Sequence, residues 1–150
     1  MKIVILYGTE TGNAEMLALD VSRHLEKTHT VVTRNMDKVD VSIFELADLS
    51  ILVCSTYGEG ELPATAKPFH ENLVASKPAL NGVRYAIFGM GDSQYPDTFG
   101  YGAAIFDDLL RSLGAVCVGE RGMHDASGVA AAEDVAIEWL AQAMNAAEAT

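Results

Sequence analysis

Short apolar runs that alternate with helical patterns are the feature that most constrains the fold of this 150-residue chain. Strand-like runs occur at Lys2 to Leu6, Thr30 to Arg34, Ser50 to Cys54, Tyr85 to Phe88 and Ala115 to Val118. All but the second, which is weaker and rich in β-branched residues, are continuously apolar. Strands that are apolar on both faces are typical of a parallel sheet covered by helices on each side. The chain therefore predicts one domain, residues 1–150, of alternating strands and helices.

The helices are indicated by apolar residues that recur three and four positions apart. The clearest stripe is the last one, with Val135, Ala136, Trp139, Leu140, Ala143 and Met144. A tryptophan on such a stripe is predicted to pack in the core rather than to bind a ligand. A helix is also predicted around Phe69 and Leu73, whereas residues 41–48 are ambiguous and could form a short helix.

The loop after the first strand, residues 8–13 (GTETGN), has the composition of an anion-binding turn. A helix that begins directly after a strand leaves its first backbone N–H groups unpaired, and these groups can bind phosphate. Thr9 and Thr11 add hydroxyl donors without charge. The loop lacks the Gly-Lys-Ser/Thr ending of a nucleoside-triphosphate loop and the glycine spacing of a dinucleotide fingerprint. The predicted ligand is a phosphate monoester.

Two further loops are predicted to lie beside this turn. In an open parallel sheet, ligands bind at the carboxyl ends of the strands, near the point where the strand order reverses. The loops after the third and fourth strands are residues 55–63 (STYGEGELP) and 89–99 (GMGDSQYPDTF), and each carries a tyrosine beside glycines. Tyr57 and Tyr95 can clamp a flat heteroaromatic ring on its two faces. Together the three loops predict a single ligand site.

Three segments, residues 7–15 (YGTETGNAE), 55–60 (STYGEG) and 88–93 (FGMGDS), together resemble the flavodoxin family. The likeness is greatest to the FMN-binding domains of cytochrome P450 reductase, sulfite reductase and nitric oxide synthase, and to their stand-alone bacterial relatives. It extends over the whole chain, as far as Trp139. The resemblance implies a flavodoxin-like α/β fold, a doubly wound five-stranded parallel sheet of order 2-1-3-4-5 with helices on both faces. No insertion in the fifth strand is apparent, so we expect a short-chain member.

FMN is the cofactor that the resemblance implies. The expected cofactor-binding residues are Thr9, Glu10, Thr11, Gly12, Asn13, Ser55, Thr56, Tyr57, Gly58, Gly60, Gly89, Gly91, Asp92, Tyr95 and Phe99. The first loop would hold the phosphate, the hydroxyls of the second would lie beside the ribityl chain, and the glycines and Asp92 of the third would line the polar edge of the ring. No catalytic residue is expected, and no metal site, because the histidines show no metal-ligand spacing. His124 is expected to be at most an electrostatic modulator near the site.

The resemblance also implies how the ring is controlled. Tyr57 and Tyr95 would stack on opposite faces, and the carbonyl of Gly58 would turn toward the flavin N5 on reduction, which a glycine permits at little steric cost. Two residues depart from the family pattern. Gly100 stands where many relatives have a cysteine, which implies looser packing near the ring, and Pro96 directly follows Tyr95 and bears on its position.

The negative charge of the chain bears on its partners. Ten basic residues against 21 acidic ones give a formal net charge of −11, which disfavours nucleic acid and anionic membranes and favours a cationic partner. The loop acids Glu59, Glu61, Asp92 and Asp97 would rim the ring. We expect this acidic face to dock an NAD(P)H-dependent flavin reductase as electron donor and a redox acceptor such as a cytochrome P450 or another haem protein.

The cellular compartment of the protein is predicted from its apolar runs and its cysteines. No apolar run approaches the roughly 20 residues of a membrane span. Cys54 and Cys117 both fall in strand-like runs that a third strand would separate, so a disulfide between them is not expected. Thiols of this kind are typical of a reducing compartment. We expect a cytoplasmic monomer.

Two other functions share this topology. A phosphoryl-receiver domain requires acidic residues after the first strand and an acceptor aspartate after the third, where this chain has Tyr7-Gly8 and Cys54-Ser55. A small FMN-dependent NAD(P)H quinone reductase is the stronger alternative, because it uses the same phosphate loop. The short chain leaves little room for a nicotinamide pocket, which favours an electron carrier over an enzyme.

Overall fold

The computed structural model describes residues 1–57 and 60–149. Its strands are β1 (Lys2–Gly8), β2 (Thr30–Asn35), β3 (Leu49–Ser55), β4 (Arg84–Gly91), β5 (Val116–Cys117) and β6 (Gly122–Asp125). Its helices are α1 (Asn13–Leu25), α2 (Lys67–Ser76), α3 (Tyr101–Ser112) and α4 (Ala132–Ala149). The sheet runs β2-β1-β3-β4-β5, with every pairing parallel, and β6 also pairs with β4. The predicted strand order 2-1-3-4-5 is confirmed.

The fifth position of the sheet differs from the single strand that the sequence predicts. Strand β5 pairs with the start of β4, at Arg84 and Tyr85, and β6 pairs with its end, from Phe88 to Gly91. The short connection between them contains Gly119, whose φ is +71°. Strand β6 carries no apolar run, because its last three residues are only partly buried. Apolar patterning therefore finds β5 and misses β6.

Each face of the sheet carries its own core, which is why the strands are apolar at consecutive positions. On one face α1 and α4 pack on residues such as Ile5, Ile51 and Phe88. On the other face α2 and α3 pack on residues such as Leu6 and Leu52. Strand β3 lies between β1 and β4, and all of it except its last residue is buried.

Helix α4 confirms the packing role predicted for Trp139. The indole ring lies 5.3 Å from the ring of Phe88, and its Nε1 donates to the carbonyl oxygen of Glu120 at 2.8 Å. The ambiguous segment forms a 3-10 helix, Val41–Leu46, whose first turn is capped by Asp40. Within residues 1–57 and 60–149, no helix combines the length and apolarity that a membrane span requires.

Candidate cofactor-binding site

The carboxyl ends of β1, β3 and β4 open into a cavity of about 690 Å³, a volume in the range of cofactor sites. Ten of the expected cofactor-binding residues line it: Glu10, Thr11, Asn13, Ser55, Thr56, Tyr57, Gly91, Asp92, Tyr95 and Phe99. Thr9, Gly12, Gly60 and Gly89 support the loops without lining the cavity. Gly58 lies outside the described residues, and so does Glu59, one of the acids expected to rim the ring.

The phosphate loop presents unpaired donors. Among the described residues, no protein acceptor lies within hydrogen-bond reach of the backbone N–H groups of Thr11, Asn13 and Ala14. Helix α1 begins immediately after Gly12, whose φ of +97° is a left-handed conformation that favours glycine. The positive end of the helix dipole and these N–H groups therefore form an anion cradle without a basic side chain.

Thr9 supports the phosphate loop through its hydrogen bonds. It is buried, and its Oγ1 accepts from the N–H of Gly12 at 2.8 Å. Its own N–H donates to Thr65 Oγ1 at 2.8 Å, and that hydroxyl donates back to the Thr9 carbonyl at 3.2 Å. Glu10 makes a second link, since its Oε2 accepts from the N–H of Ala64 at 2.6 Å. The segment before α2 thus fixes the shape of the loop, and Thr11 is left exposed at the cavity.

Tyr7 holds the first turn of α1, a role that sequence reasoning missed. Its hydroxyl donates to Glu15 Oε2 at 2.6 Å. Burial, together with this hydrogen bond and the negative charge of Glu15, raises the pKa of Tyr7 to about 12. The carboxylate of Glu15 is thereby engaged close to the site where a phosphate would bind.

The second loop begins as a narrow hairpin. Tyr57 and Glu61 exchange two backbone hydrogen bonds of 2.8 Å each. Gly60 packs against α3, because a Cβ there would lie 2.7 Å from the ring of Tyr101. The hydroxyl of Thr56 accepts from the N–H of Gly102 at 3.0 Å. These links hold the Tyr57 side chain, which is 46% exposed, at the rim of the cavity.

The third loop places two more aromatic rings at the cavity. Tyr95 and Phe99 are 58% and 36% exposed. The loop consists of successive turns, in which the N–H of Tyr95 donates to the Asp92 carbonyl and the N–H of Thr98 donates to the Tyr95 carbonyl, both at 3.1 Å. Exposed aromatic surface around a concave site is typical of a ring-binding pocket. Gly100, where the resemblance implies a cysteine in many relatives, is the N-cap residue of α3 and has a φ of +79°, a left-handed conformation that favours glycine.

Sequence reasoning missed part of the wall. Helix α1 adds Met16, Leu17 and Asp20, and the segment from β6 to α4 adds His124, Ala126, Ala132 and Glu133. His124, expected only as a modulator near the site, lines the cavity, and its Nε2 lies 3.0 Å from the carbonyl oxygen of Ala130. The residues of α1 follow the phosphate loop directly, whereas the sequence carries no signal for the segment from β6 to α4, because β6 has no apolar run to reveal it.

The comparisons agree with this geometry. The flavodoxin family model matches residues 5–139. NADPH-dependent diflavin oxidoreductase 1 of Schizosaccharomyces pombe is 35% identical over 141 residues, which cover 91% of this chain and 24% of that protein. Inducible nitric oxide synthase of Homo sapiens is 33% identical over 147 residues, or 98% of this chain and 12% of that protein. The chain therefore spans a quarter or less of these curated relatives.

Solved structures match over their full length. A flavodoxin from Pseudomonas aeruginosa, solved as a cysteine-to-serine mutant, superposes with a TM-score of 0.89 at 30% identity, over 99% of each chain. A flavodoxin from Streptococcus pneumonia TIGR4 superposes with a TM-score of 0.80 at 33% identity, over 99% of this chain and 96% of that one. The chain belongs to the flavodoxin family, and FMN is its cofactor.

The cavity fits this cofactor. FMN has a single phosphate, which suits a cradle of unpaired N–H groups with one free hydroxyl at Thr11. Its flat ring suits a cavity with exposed tyrosines on two separate loops, Tyr57 and Tyr95.

Proposed function

We propose that this chain is a one-electron carrier that shuttles electrons from an NAD(P)H-dependent flavin reductase to a redox acceptor such as a cytochrome P450. Bound FMN supplies the redox chemistry, accepting and releasing electrons one at a time. The observation that carries the proposal is the cavity formed by three loops, with exposed aromatic rings at its rim. A ring edge at the surface suits transfer to another protein.

Each loop is assigned one task. The N–H groups of Thr11, Asn13 and Ala14 and the Thr11 hydroxyl bind the phosphate, which anchors the cofactor without a basic residue. Ser55 and Thr56 lie along the ribityl chain. This assignment is supported by the hydrogen bond from the Gly102 N–H to the Thr56 hydroxyl, which fixes that loop against α3.

The tyrosines have a different task. Tyr57 and Tyr95 stack on the ring and exclude water from it, so that the surrounding dipoles act in a medium of low dielectric constant. We assign the carbonyl of Gly58 to N5 on the family resemblance alone.

The partner face is assigned to the acidic rim. The formal charge of −11 and the exposed acids Glu61 and Asp97 support a basic partner. Glu61 lies 3.5 Å from Lys67, which offsets part of its charge, whereas Asp97 has no such cation among the described residues. The relative named an NADPH-dependent diflavin oxidoreductase supports an NADPH-dependent flavoprotein as donor.

An anaerobic reductive titration followed by absorbance tests the function. We expect purified protein to hold one FMN for each chain and to be reduced in two separate one-electron steps. Reduction in a single two-electron step, with NADPH alone as donor, would establish the quinone reductase instead.

Docking is tested by stopped-flow association with an NADPH-dependent flavin reductase. Glu61→Gln combined with Asp97→Asn should slow association several-fold at low salt, and the difference should vanish at high salt. Glu71→Gln combined with Asp108→Asn is the matched control, since these exposed acids lie on α2 and α3 away from the cavity. Equal slowing by both pairs would mean that only net charge matters and that no acidic docking face exists.

A further inference from the structure

Two loops at the cavity are joined by reciprocal hydrogen bonds. The loop after β4 begins with Asp92 and Ser93, and the loop after β6 begins beyond Asp125. The N–H of Ser93 donates to Asp125 Oδ1 at 3.0 Å, and the hydroxyl of Ser127 donates to Asp92 Oδ1. The loop after β4 thus supplies the carboxylate of Asp92 and the N–H of Ser93, while the last residue of β6 supplies the carboxylate of Asp125 and the loop after it the hydroxyl of Ser127. We call these four residues, Asp92, Ser93, Asp125 and Ser127, the loop clasp.

The loop clasp continues the pairing of β4 with β6. The last pair in the sheet is Gly91 with Asp125, and beyond it the N–H of Ala126 donates to the Gly91 carbonyl at 2.8 Å. Asp125 Oδ1 also accepts from the N–H of Ser127 at 2.9 Å. One carboxylate oxygen therefore binds a backbone N–H from each loop. Hydrogen bonds to a carboxylate are stronger than those between neutral groups.

We propose that Asp125 is a positioning residue for the flavin site, which acts by holding the Tyr95 loop over the cavity. The proposal rests on the assignment of this cavity to FMN, and it gives Asp125 and Ser127 a role that the family resemblance did not supply. Neither residue would need to touch the cofactor.

The loop clasp matters because the Tyr95 loop has few other contacts that hold it in place. Among the described residues, the loop's other hydrogen bonds are short-range, such as Asp92 Oδ1 accepting from Gln94 N–H at 2.9 Å and Thr98 O accepting from Tyr101 N–H at 3.1 Å. The Tyr95 ring is 58% exposed and gains little packing of its own. A loop with few buried contacts samples open conformations, and a preorganised site requires that its supporting residues limit them.

The carboxylate at Asp125 is suited to this task. Hydrogen bonds from Ser93 and from the Ser127 backbone lower the pKa of Asp125 below its usual value, so the ionised acceptor is retained across the neutral range. The positive charge of His124, the neighbouring residue in β6, lowers the pKa of Asp125 further, and Asp92 is the second carboxylate of the clasp.

The test uses three variants and two readouts. Asp125→Ala removes the acceptor, Asp125→Asn keeps an oxygen acceptor but removes the charge, and Asp108→Ala is the control, an exposed acid on α3. The first readout is amide hydrogen exchange of Ser93 and Ser127 in the apoprotein, followed by NMR. The second is the dissociation rate of FMN and of riboflavin, followed by flavin fluorescence.

We expect Asp125→Ala to accelerate exchange at Ser93 and Ser127, and to raise the dissociation rates of FMN and riboflavin by about tenfold, the size expected when a charged hydrogen-bond partner is lost. Both ligands should respond alike, because the ring loop and not the phosphate loop is released. Asp125→Asn should stay within about threefold of wild type, since the amide oxygen can still accept. Faster release of FMN from Asp125→Ala would not be explained by the lost charge. Removing a negative charge near an anionic cofactor would by itself strengthen binding.

Three results would overturn the proposal. Unchanged amide exchange in Asp125→Ala would show that the loop clasp does not form in solution. Faster exchange without faster flavin release would show that it forms but does not position the site. Equal effects of Asp125→Asn and Asp125→Ala would show that the oxygen acceptor at this position is not what holds the loop. By contrast, a wild-type protein that binds no flavin would refute the cavity assignment itself, whereas the exchange readout would still report on the loop clasp.

Discussion

The two ends of β4 are built in different ways. At its amino end, the fully buried Tyr85 donates to the carboxylate of Asp107, which also accepts from Arg111 Nε at 2.9 Å and Arg121 Nη1 at 3.2 Å. At its carboxyl end, the strand opens at Gly91 into a loop whose aromatic rings are exposed.

The difference shows where stability and binding reside. Side chains from β4, α3 and the β5–β6 connection converge on one carboxylate at the amino end, and burial together with Asp107 raises the pKa of Tyr85 far above its usual value. The carboxyl end of β4 leaves exposed ring faces for a ligand to cover, and the carboxyl end of β1, at the same edge of the sheet, leaves unpaired N–H groups. Leaving these groups uncovered costs stability in the unbound protein. Substitutions at the two ends should therefore separate folding from flavin binding.

The largest expected effect is that of Asp107→Ala on folding. Arg111 and Arg121 are exposed enough to be hydrated, so the main cost is the buried hydroxyl of Tyr85, which keeps only a 3.2 Å contact to the Asp107 carbonyl. We expect the free energy of unfolding of the apoprotein to fall by about 2–3 kcal/mol. Urea denaturation measures it, with Asp108→Ala as control. If Asp107→Ala lowered the free energy of unfolding by less than Asp108→Ala does, the two ends of β4 would not differ in their contribution to stability.

Tyr95→Ala should have the opposite profile. Loss of one stacking face should weaken FMN and riboflavin alike, by about tenfold, while the unfolding of the apoprotein changes by less than about 0.5 kcal/mol because the ring is exposed. Fluorescence quenching titrations measure both affinities. Leu46→Ala, which truncates another exposed apolar side chain outside the cavity, is the control. A large loss of apoprotein stability would place Tyr95 in the core.

Thr11→Ala tests the phosphate loop, which follows β1 at the same edge of the sheet as the carboxyl end of β4. Only FMN carries a phosphate, so the loss of one hydroxyl donor should weaken FMN about fivefold and leave riboflavin unchanged. The exposed Thr28, in the turn that follows α1, provides the control substitution Thr28→Ala. The phosphate assignment would be wrong if the two flavins lost equal affinity.

The smallest expected effect is the alkaline response of Tyr7→Phe. Burial, and after it the hydrogen bond to Glu15 and the negative charge of that residue, raise the pKa of Tyr7 from its ordinary value of 10.0 to about 12 in the folded chain. A raised pKa in the folded state stabilises the protein fully below pH 10, and this contribution is lost as the pH rises toward 12. The difference in unfolding free energy between wild type and Tyr7→Phe should therefore shrink over that interval. A constant difference would mean that the pKa of Tyr7 is not raised in the folded protein.

Much of the site could be predicted from sequence because its parts are local. The phosphate loop depends on a strand, a left-handed glycine and a helix start, all within residues 2–25. The tyrosine loops follow strands that apolar runs reveal. The supporting contacts could not be predicted in this way, because Thr9 with Thr65 and Ser93 with Asp125 join residues 56 and 32 positions apart.

The sequence by itself determined which segments form β1 to β5, the two-sided cores and the family, since burial on both faces of a parallel sheet leaves continuous apolar runs that are visible in one dimension. The tertiary structure decided the rest. It divided the fifth strand into β5 and β6, because partly polar residues can pair with β4 without forming an apolar run. It also brought Asp125 to the Tyr95 loop and Asp107 to Tyr85. A carboxylate's partner is chosen by what the folded chain places within about 3 Å of it, and no local pattern encodes that distance.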